Sequence, residues 1–225
     1  MGGCKPFGFA QGQNDNSLVE IELLGEVTGH SAEALTLTAS LRARIEAVRS
    51  SALDPEPKSS VILSEALSAE SKDPEGPHSP QPSVPFHHEP PRVLCLEWLD
   101  PPFQGGHWIP EMVALAGGLP LLATPGEKSR RITWEEIIAS APDIIVVMPC
   151  GYHLAETIEQ FNQLTVPAAC FSLPAYRNRR VYAVDGTAYF SRPGPRLVTG
   201  LEILNAIFRD EDFSHLPPSS IAKLG

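Results

Sequence analysis

The sequence predicts an α/β domain, a three-layer lobe with a mostly parallel sheet, preceded by a long helix and a disordered linker. Three observations predict it. From Arg92 onward, short apolar runs alternate with runs of helical periodicity, the pattern of βα units. One of those runs, Ile144-Ile145-Val146-Val147, is apolar without a break, as in a parallel strand covered on both faces. Upstream, nine of the chain's 23 prolines crowd between Asp54 and Pro91 with Ser and Glu filling most gaps, a composition that buries too little apolar surface to offset the entropy of ordering.

The elements follow in order. Met1 to Asn16 is Gly- and Gln-rich without periodicity and reads as a disordered leader. Ser17 with Glu20 three residues on has the form of a capping box and opens a helix toward Leu24, broken at Gly25 or Gly29. A longer helix spans about Ser31 to Arg49, with Leu37, Leu41, Ile45 and Val48 along one face. Val61 to Leu67 is at most a weak helical turn. Strand Val93–Trp98 leads through a Pro- and Gly-rich loop to helix Ile109–Ala116. Leu119–Leu122 is a short strand. Thr133 caps the next helix, Glu136 closes its capping box, Ile132 staples onto Ile137, and the helix ends before Pro142. Strand Asp143–Met148, helix Leu154–Leu164, strand Pro167–Phe171 and strand Arg180–Val184 follow. The last helix, Pro195–Phe208, has Pro in its first turn and a face of Leu197, Leu201, Leu204 and Phe208. The resulting division is a leader (1–16), a helical segment (17–50), a linker (51–91), the α/β lobe (92–210) and a polar tail (211–225).

Composition narrows the function. A net charge of −10 argues against a nucleic-acid binder, which needs a basic face. The acidity is uneven: residues 1–91 carry 13 acidic and 6 basic residues, net −7, and the remainder 14 and 11, net −3. The lobe is thus nearly balanced, as suits a largely neutral small molecule. Cys4, Cys95, Cys150 and Cys170 form no C-x-x-C pair, and Cys95 and Cys170 lie in strand-like apolar runs, so buried reduced thiols are expected. No apolar run approaches the roughly 18 residues of a membrane span. The first residues lack the apolar core of a signal peptide, and Pro6 stands where a myristoylation site wants Ser or Thr.

Chemistry-bearing motifs are few. The chain has no G-x-G-x-x-G, no phosphate-cradling G-x-x-x-x-G-K-S/T, no G-x-S-x-G and no H-E-x-x-H. His87-His88 and Tyr152-His153 read as solvated loops, and Arg192 to Arg196 as a rigid, basic turn into a helix. Two of the three tryptophans fall between Trp98 and Trp108, in a loop beyond the carboxyl end of a strand, where α/β layers bind ligands. Phe103 and His107 share that loop. Glu135, second residue of its helix, faces solvent and favours the helix dipole by about 0.3–1 kcal/mol; it also suits an arginine on a partner.

At this point the chain resembles a known family. The stretches RVLCLEWLDPPF (Arg92–Phe103), GHWIPEMVALAGG (Gly106–Gly118), ITWEEI (Ile132–Ile137) with APDIIVV (Ala141–Val147), and RVYAVDGTAYFSRPGPR (Arg180–Arg196) resemble the C-terminal lobe of ABC-transporter substrate-binding proteins of the helical-backbone (class III) type. The cobalamin-binding branch is the nearest match. The resemblance implies two α/β lobes joined by a long helix, with ligand in the cleft between them, and Ser31–Arg49 corresponds to the end of that helix. It implies that Phe103 and Tyr189 contact the corrin, with Trp108 as a neighbour, and that Glu135 docks on arginines of the transporter's membrane subunits; Trp98 joins the ligand-binding candidates from its place in the loop. It implies no cofactor, no catalysis, and cobalamin or a similar macrocycle or metal chelate as ligand.

Two departures from the pattern stand out. Nothing resembles the family's N-terminal lobe, which reads as a missing lobe, and the linker is long. The family is usually periplasmic or at the cell surface; without a signal peptide the sequence as it stands reads as cytoplasmic. Two rival readings remain open. One is an interaction-only or truncated remnant, favoured by an exposed Leu37–Val48 stripe. The other is a cytosolic enzyme on the same layer, with Glu97, Asp100 and His107 as acid–base candidates.

Overall fold

The computed structural model describes residues 17–53 and 89–224. The predicted leader, the turn at 61–67, His87-His88, Cys4 and most of the predicted linker lie outside the described residues.

Two helices come first, α1 (Ser17–Thr28) and α2 (Ser31–Leu53). Of the two expected stops, α1 passes through Gly25 and ends at Gly29, which adopts a φ of 76°, a left-handed conformation that glycine takes without steric cost. α2 crosses so closely that a Cβ on Gly25 would lie 2.3 Å from the Ala34 Cβ. α2 also outruns its predicted end at Arg49, so residues 51–53, expected in the linker, are helical. Arg209 Nη1 donates to the Ser51 carbonyl at 2.8 Å and holds that end. The buried stripe of α2 is Ala34, Thr38, Leu41, Ile45 and Val48. Leu37, expected on it, is 42% exposed. Thr38 takes the buried place because its hydroxyl donates to Glu22 at 2.7 Å, so a polar side chain is buried with its partner.

Among the described residues six strands form, β1 (Arg92–Leu99), β2 (Pro102–Gln104), β3 (Leu119–Pro120), β4 (Ile144–Val147), β5 (Val181–Val184) and β6 (Ile221–Leu224). They form one sheet in the order β2-β1-β4-β5-β6, with β3 also against β1. β1, β4 and β5 run parallel, as do β1 and β3, whereas β2 and β6 are antiparallel to their neighbours. Helices α3 (Ile109–Leu115), α4 (Trp134–Ser140), α5 (Leu154–Gln163), α6 (Pro174–Arg177), α7 (Gly186–Tyr189) and α8 (Arg196–Phe208) cover the two faces.

Alternation along the strands makes the three layers. Val93, Cys95, Ile144, Val146, Tyr182 and Val184 face one apolar cluster, shared with α2, α3 and α8. Leu94, Leu96, Ile145, Val147, Val181 and Ala183 face the other, shared with Ile137 of α4 and Leu154 of α5. The Val, Leu and Ile side chains among them each contribute roughly 1.5–3 kcal/mol on full burial. α8 carries its predicted face and also buries Ile203 and Ile207, because it lies between the sheet and α2. Arg44 of α2 reaches it with a two-pronged pair to Glu202, at 2.8 and 2.6 Å.

Two expectations are corrected here. Pro167–Phe171 is no strand: Ala168–Ser172 is a 3-10 turn. β4 pairs directly with β5, which leaves no lane between them, and only Cys170 of the run is buried. The stretch 211–225 is more than a polar tail, since Ile221–Leu224 forms β6 against β5. Among the described residues no helix is long and apolar enough to cross a membrane.

Candidate functional site

Because β1, β4 and β5 are parallel, their carboxyl ends meet along one rim, where α/β sheets bind ligands. A cavity of about 270 Å³ opens there, lined by Glu97, Gly106, His107, Trp108, Ile109, Met148, Cys150, Phe190 and Ser191. A wider groove of about 700 Å³ lies away from the rim, between α2, α8 and residues 211–218; its one arginine, Arg44, is already paired with Glu202.

The loop after β1 is shaped by close approach. A Cβ on Gly106 would come within 2.1 Å of the Ser129 amide nitrogen, so only glycine fits. His107, at a φ of 55°, donates its N–H to the Glu127 carbonyl at 2.6 Å and accepts from Gly126 at 2.9 Å. Glu97 accepts from the Gly106 N–H at 3.3 Å, so its carboxylate helps hold the loop. Trp108 Nε1 donates to the Phe190 carbonyl at 2.8 Å and ties this loop to the turn after α7. In the loop after β4, the Cys150 N–H donates to the Glu97 carbonyl at 3.1 Å.

The four predicted aromatic residues separate. Trp108 lines the cavity, half-buried, with its ring centroid 5.9 Å from that of His107. Trp98 is 38% exposed on the rim, its ring 5.6 Å from Tyr152 and tilted by 30°. Phe103 stands on β2 directly opposite Trp98, half-buried and outside the cavity lining. Tyr189 ends α7, half-buried against the cluster shared with α8, and is also outside the lining. A Cβ on Gly200 of α8 would sit 2.4 Å from the Tyr189 carbonyl, so that glycine lets α7 settle onto α8. Among the described residues no ring contact joins Phe103 to Tyr189. Of the acid–base candidates, Glu97 and His107 line the cavity and Asp100 does not; the Asp100 carbonyl accepts from Trp98 Nε1 at 3.1 Å.

The structure adds a pair where the sequence reads only as a solvated loop. His153 Nδ1 lies 2.9 Å from Asp185 Oδ2, and Asp185 Oδ1 accepts from the Ala188 N–H at 2.8 Å as the cap of α7. The hydrogen bond that the ring donates to Asp185, and then the charge of that carboxylate, raise the His153 pKa above the usual imidazole value. The Tyr152 carbonyl accepts from the Thr187 N–H at 3.1 Å, so the loops after β4 and β5 are laced together. The signal in sequence was position alone: Tyr152-His153 follows one strand end and Asp185 another.

Glu135 is exposed in the first turn of α4. Its own backbone N–H and the Thr133 hydroxyl hold its carboxyl below the usual range, and among the described residues it makes no ion pair. Among the described residues no group of three or more His, Cys, Asp or Glu side chains is placed to hold a metal ion.

Comparison with known proteins bears on this arrangement. Residues 86–188 match the model of the periplasmic binding protein family. No curated protein matches the chain. Among solved structures, an ABC transporter substrate-binding protein from Listeria monocytogenes aligns with a TM-score of 0.63 at 19% identity, over 87% of this chain and 64% of that one. The periplasmic vitamin B12 binding protein of Vibrio cholerae aligns at 0.59 with 16% identity, over 86% and 60%. A periplasmic haem binding protein from Pseudomonas aeruginosa aligns at 0.58 with 17% identity, over 92% and 61%. The chain therefore spans about three fifths of the length of each. The sheet, its covering helices and the preceding α1–α2 pair share the fold of the periplasmic binding proteins.

Proposed function

We propose that this chain is a solute-binding lobe of an ABC importer, holding cobalamin or a similar large macrocycle or metal chelate non-covalently on the rim of its sheet. The observation that carries the reading is the cavity at the ends of three parallel strands, walled by Trp108 and flanked by the Trp98–Tyr152 pair. Aromatic faces suit a broad flat guest, and the polar edge of tryptophan tolerates a half-open site. The match to the periplasmic binding protein family over residues 86–188 supports transport rather than catalysis. So does the engagement of Glu97 in holding its loop, which leaves His107 without a second acid–base group committed to it. Similar folds that bind vitamin B12 or haem support the ligand class.

In this reading Trp98 and Trp108 contact the guest, Phe103 and Tyr189 flank it, and Glu135 docks on an arginine of the transporter's membrane subunits. The protein needs no cofactor, binds no nucleic acid, and meets the membrane only through the transporter. Titration with cyanocobalamin and with haemin, followed by tryptophan quenching and calorimetry, tests it. Saturable binding by at least one is expected, weakened about 10-fold, or roughly 1.4 kcal/mol, by the double variant Trp98→Ala, Trp108→Ala. No saturable binding of either rules the reading out.

A further inference from the structure

We propose that two surface patches of this lobe, unlike in charge and alike in apolar content, join copies of the chain head to tail, independently of what the rim holds. The first patch is the outer flank of α1. Val19, Leu23, Leu24 and Val27 are all between 49% and 76% exposed. Single exposed apolar residues are ordinary, but four on one 12-residue helix make a continuous surface. Its charges have one sign. α1 carries no Lys or Arg. Glu20 and Glu26, each three residues from Leu23 and so beside it on the helix, are exposed. Among the described residues neither makes an ion pair.

The second patch lies at the amino ends of β4 and β5, away from the rim. The 3-10 turn Ala168–Ser172 and α6 set Phe171, 58% exposed, against Tyr176, with ring centroids 5.4 Å apart and planes at 79°. Arg177 and Arg179 beside them are exposed, and among the described residues neither makes an ion pair. No Asp or Glu falls between Pro167 and Arg180, in a chain whose net charge is −10. Backbone bonds tie the segment down. The Ala175 N–H donates to the Pro142 carbonyl at 3.0 Å, and the Arg180 N–H donates to the Ala175 carbonyl at 2.7 Å, so little backbone freedom is left to lose on binding. Phe, Tyr and Arg are the residue types that concentrate at the centres of protein interfaces.

Sign chooses the occupant. Either patch against itself sets carboxylate on carboxylate or guanidinium on guanidinium. One patch against the other sets Glu20 and Glu26 opposite Arg177 and Arg179 around an apolar centre. Leu18 of α1 belongs to the apolar cluster on one face of the sheet, and Cys170, Leu173 and Ala175 to the cluster on the other. A single chain therefore cannot close the contact on itself, and a second copy can. A contact between unlike surfaces leaves a free patch at each end, so the assembly grows past a dimer or closes as a ring. A helix of 12 residues is roughly 18 Å long, which puts the interface in the small, transient class, with a Kd on the order of 100 µM.

The test is sedimentation velocity of the whole chain across about 10 to 500 µM, a range that brackets such a Kd. Expected is a weight-average mass that rises with concentration, less steeply in high salt. Two charge reversals, Glu20→Lys with Glu26→Lys and Arg177→Glu with Arg179→Glu, each weaken association by about 10-fold or more. Mixing the two variants restores it, because each then meets opposite charge at both contacts. Phe171→Ala also weakens the wild type, by about 10-fold. Circular dichroism checks that each variant folds. A wild type that stays monomeric throughout overturns the proposal. So does a mixture of the two reversed variants that stays monomeric. Association that survives in the arginine variant alone overturns it too, and assigns the contact to the α1 flank paired with itself.

Discussion

Three cysteines on the described part of the chain differ only in where their neighbours put them. Cys95 lies within β1, and burial pushes its thiol up to about 12; Cys170 is fully buried. Cys150 is exposed at the cavity mouth. Thiolate, not thiol, is the nucleophile, so in a Cys4→Ser background a disulfide reagent at neutral pH should modify one thiol rapidly, lost in Cys150→Ser. Two or three rapid thiols would contradict the packing around β1 and Cys170. Gly106 sets a second limit. With the Ser129 backbone 2.1 Å from its hypothetical Cβ, Gly106→Ala must displace the loop that carries His107 and Trp108. A loss of about 1–3 kcal/mol in thermal or urea unfolding is expected, together with weaker ligand quenching. Had the variant been as stable as wild type, the loop would be free to move and the cavity less fixed than described.

At the scale of elements, α4 was legible almost in full. Thr133 Oγ1 accepts from the Glu136 N–H at 3.2 Å and the Glu136 carboxylate accepts from the Thr133 N–H at 2.8 Å, while Ile132 and Ile137 are both 1% exposed. Such caps are local, three residues apart, and so are written in the sequence. The Thr133 backbone N–H first, and Arg130 second, hold Glu136 below its ordinary pKa of 4.5. A depressed carboxyl stabilises the fold above its unfolded pKa and loses that contribution as pH falls through the folded one. The protection of the α4 amides relative to their intrinsic exchange rates should therefore fall below about pH 4.5 in the wild type, and Glu136→Gln should flatten that dependence. By contrast β2, β6 and the false strand at Pro167–Phe171 were illegible, because strandhood depends on a distant partner. Ile221–Leu224 reads as a tail until Val181–Val184 is placed beside it. The same holds for the candidate site: the places of Trp98 on the rim and Trp108 in the cavity wall were legible from their loop, whereas the His153–Asp185 pair spans 32 residues and needs the parallel register of β4 and β5. Deleting residues 219–225 should expose the β5 edge, lowering the melting temperature and raising light scattering on heating.

On the scale of the whole molecule, the sheet is well covered and the helical hairpin is not. Leu41, Ile45 and Val48 of α2 are buried against the lobe, yet Val19, Leu23, Leu24 and Val27 of α1 are 49%, 56%, 62% and 76% exposed. Val19, Leu23 and Val27 recur every four residues and so form one flank of α1. A helix apolar on both its inner and outer faces is ordinarily covered on both, and Glu22 and Arg42, paired at 2.8 Å, are among the few charges between the two helices. The core does not use that outer flank. Replacing Val19, Leu23 and Val27 with lysine should therefore change unfolding stability by no more than about 0.5 kcal/mol each. It should also sharply reduce the binding of an apolar fluorescent dye and any concentration-dependent association. A collapse in stability would instead mean that this flank is packed in solution against residues outside 17–53 and 89–224, and that the hairpin's contribution to the fold is larger than its contacts with α8 and α3 account for.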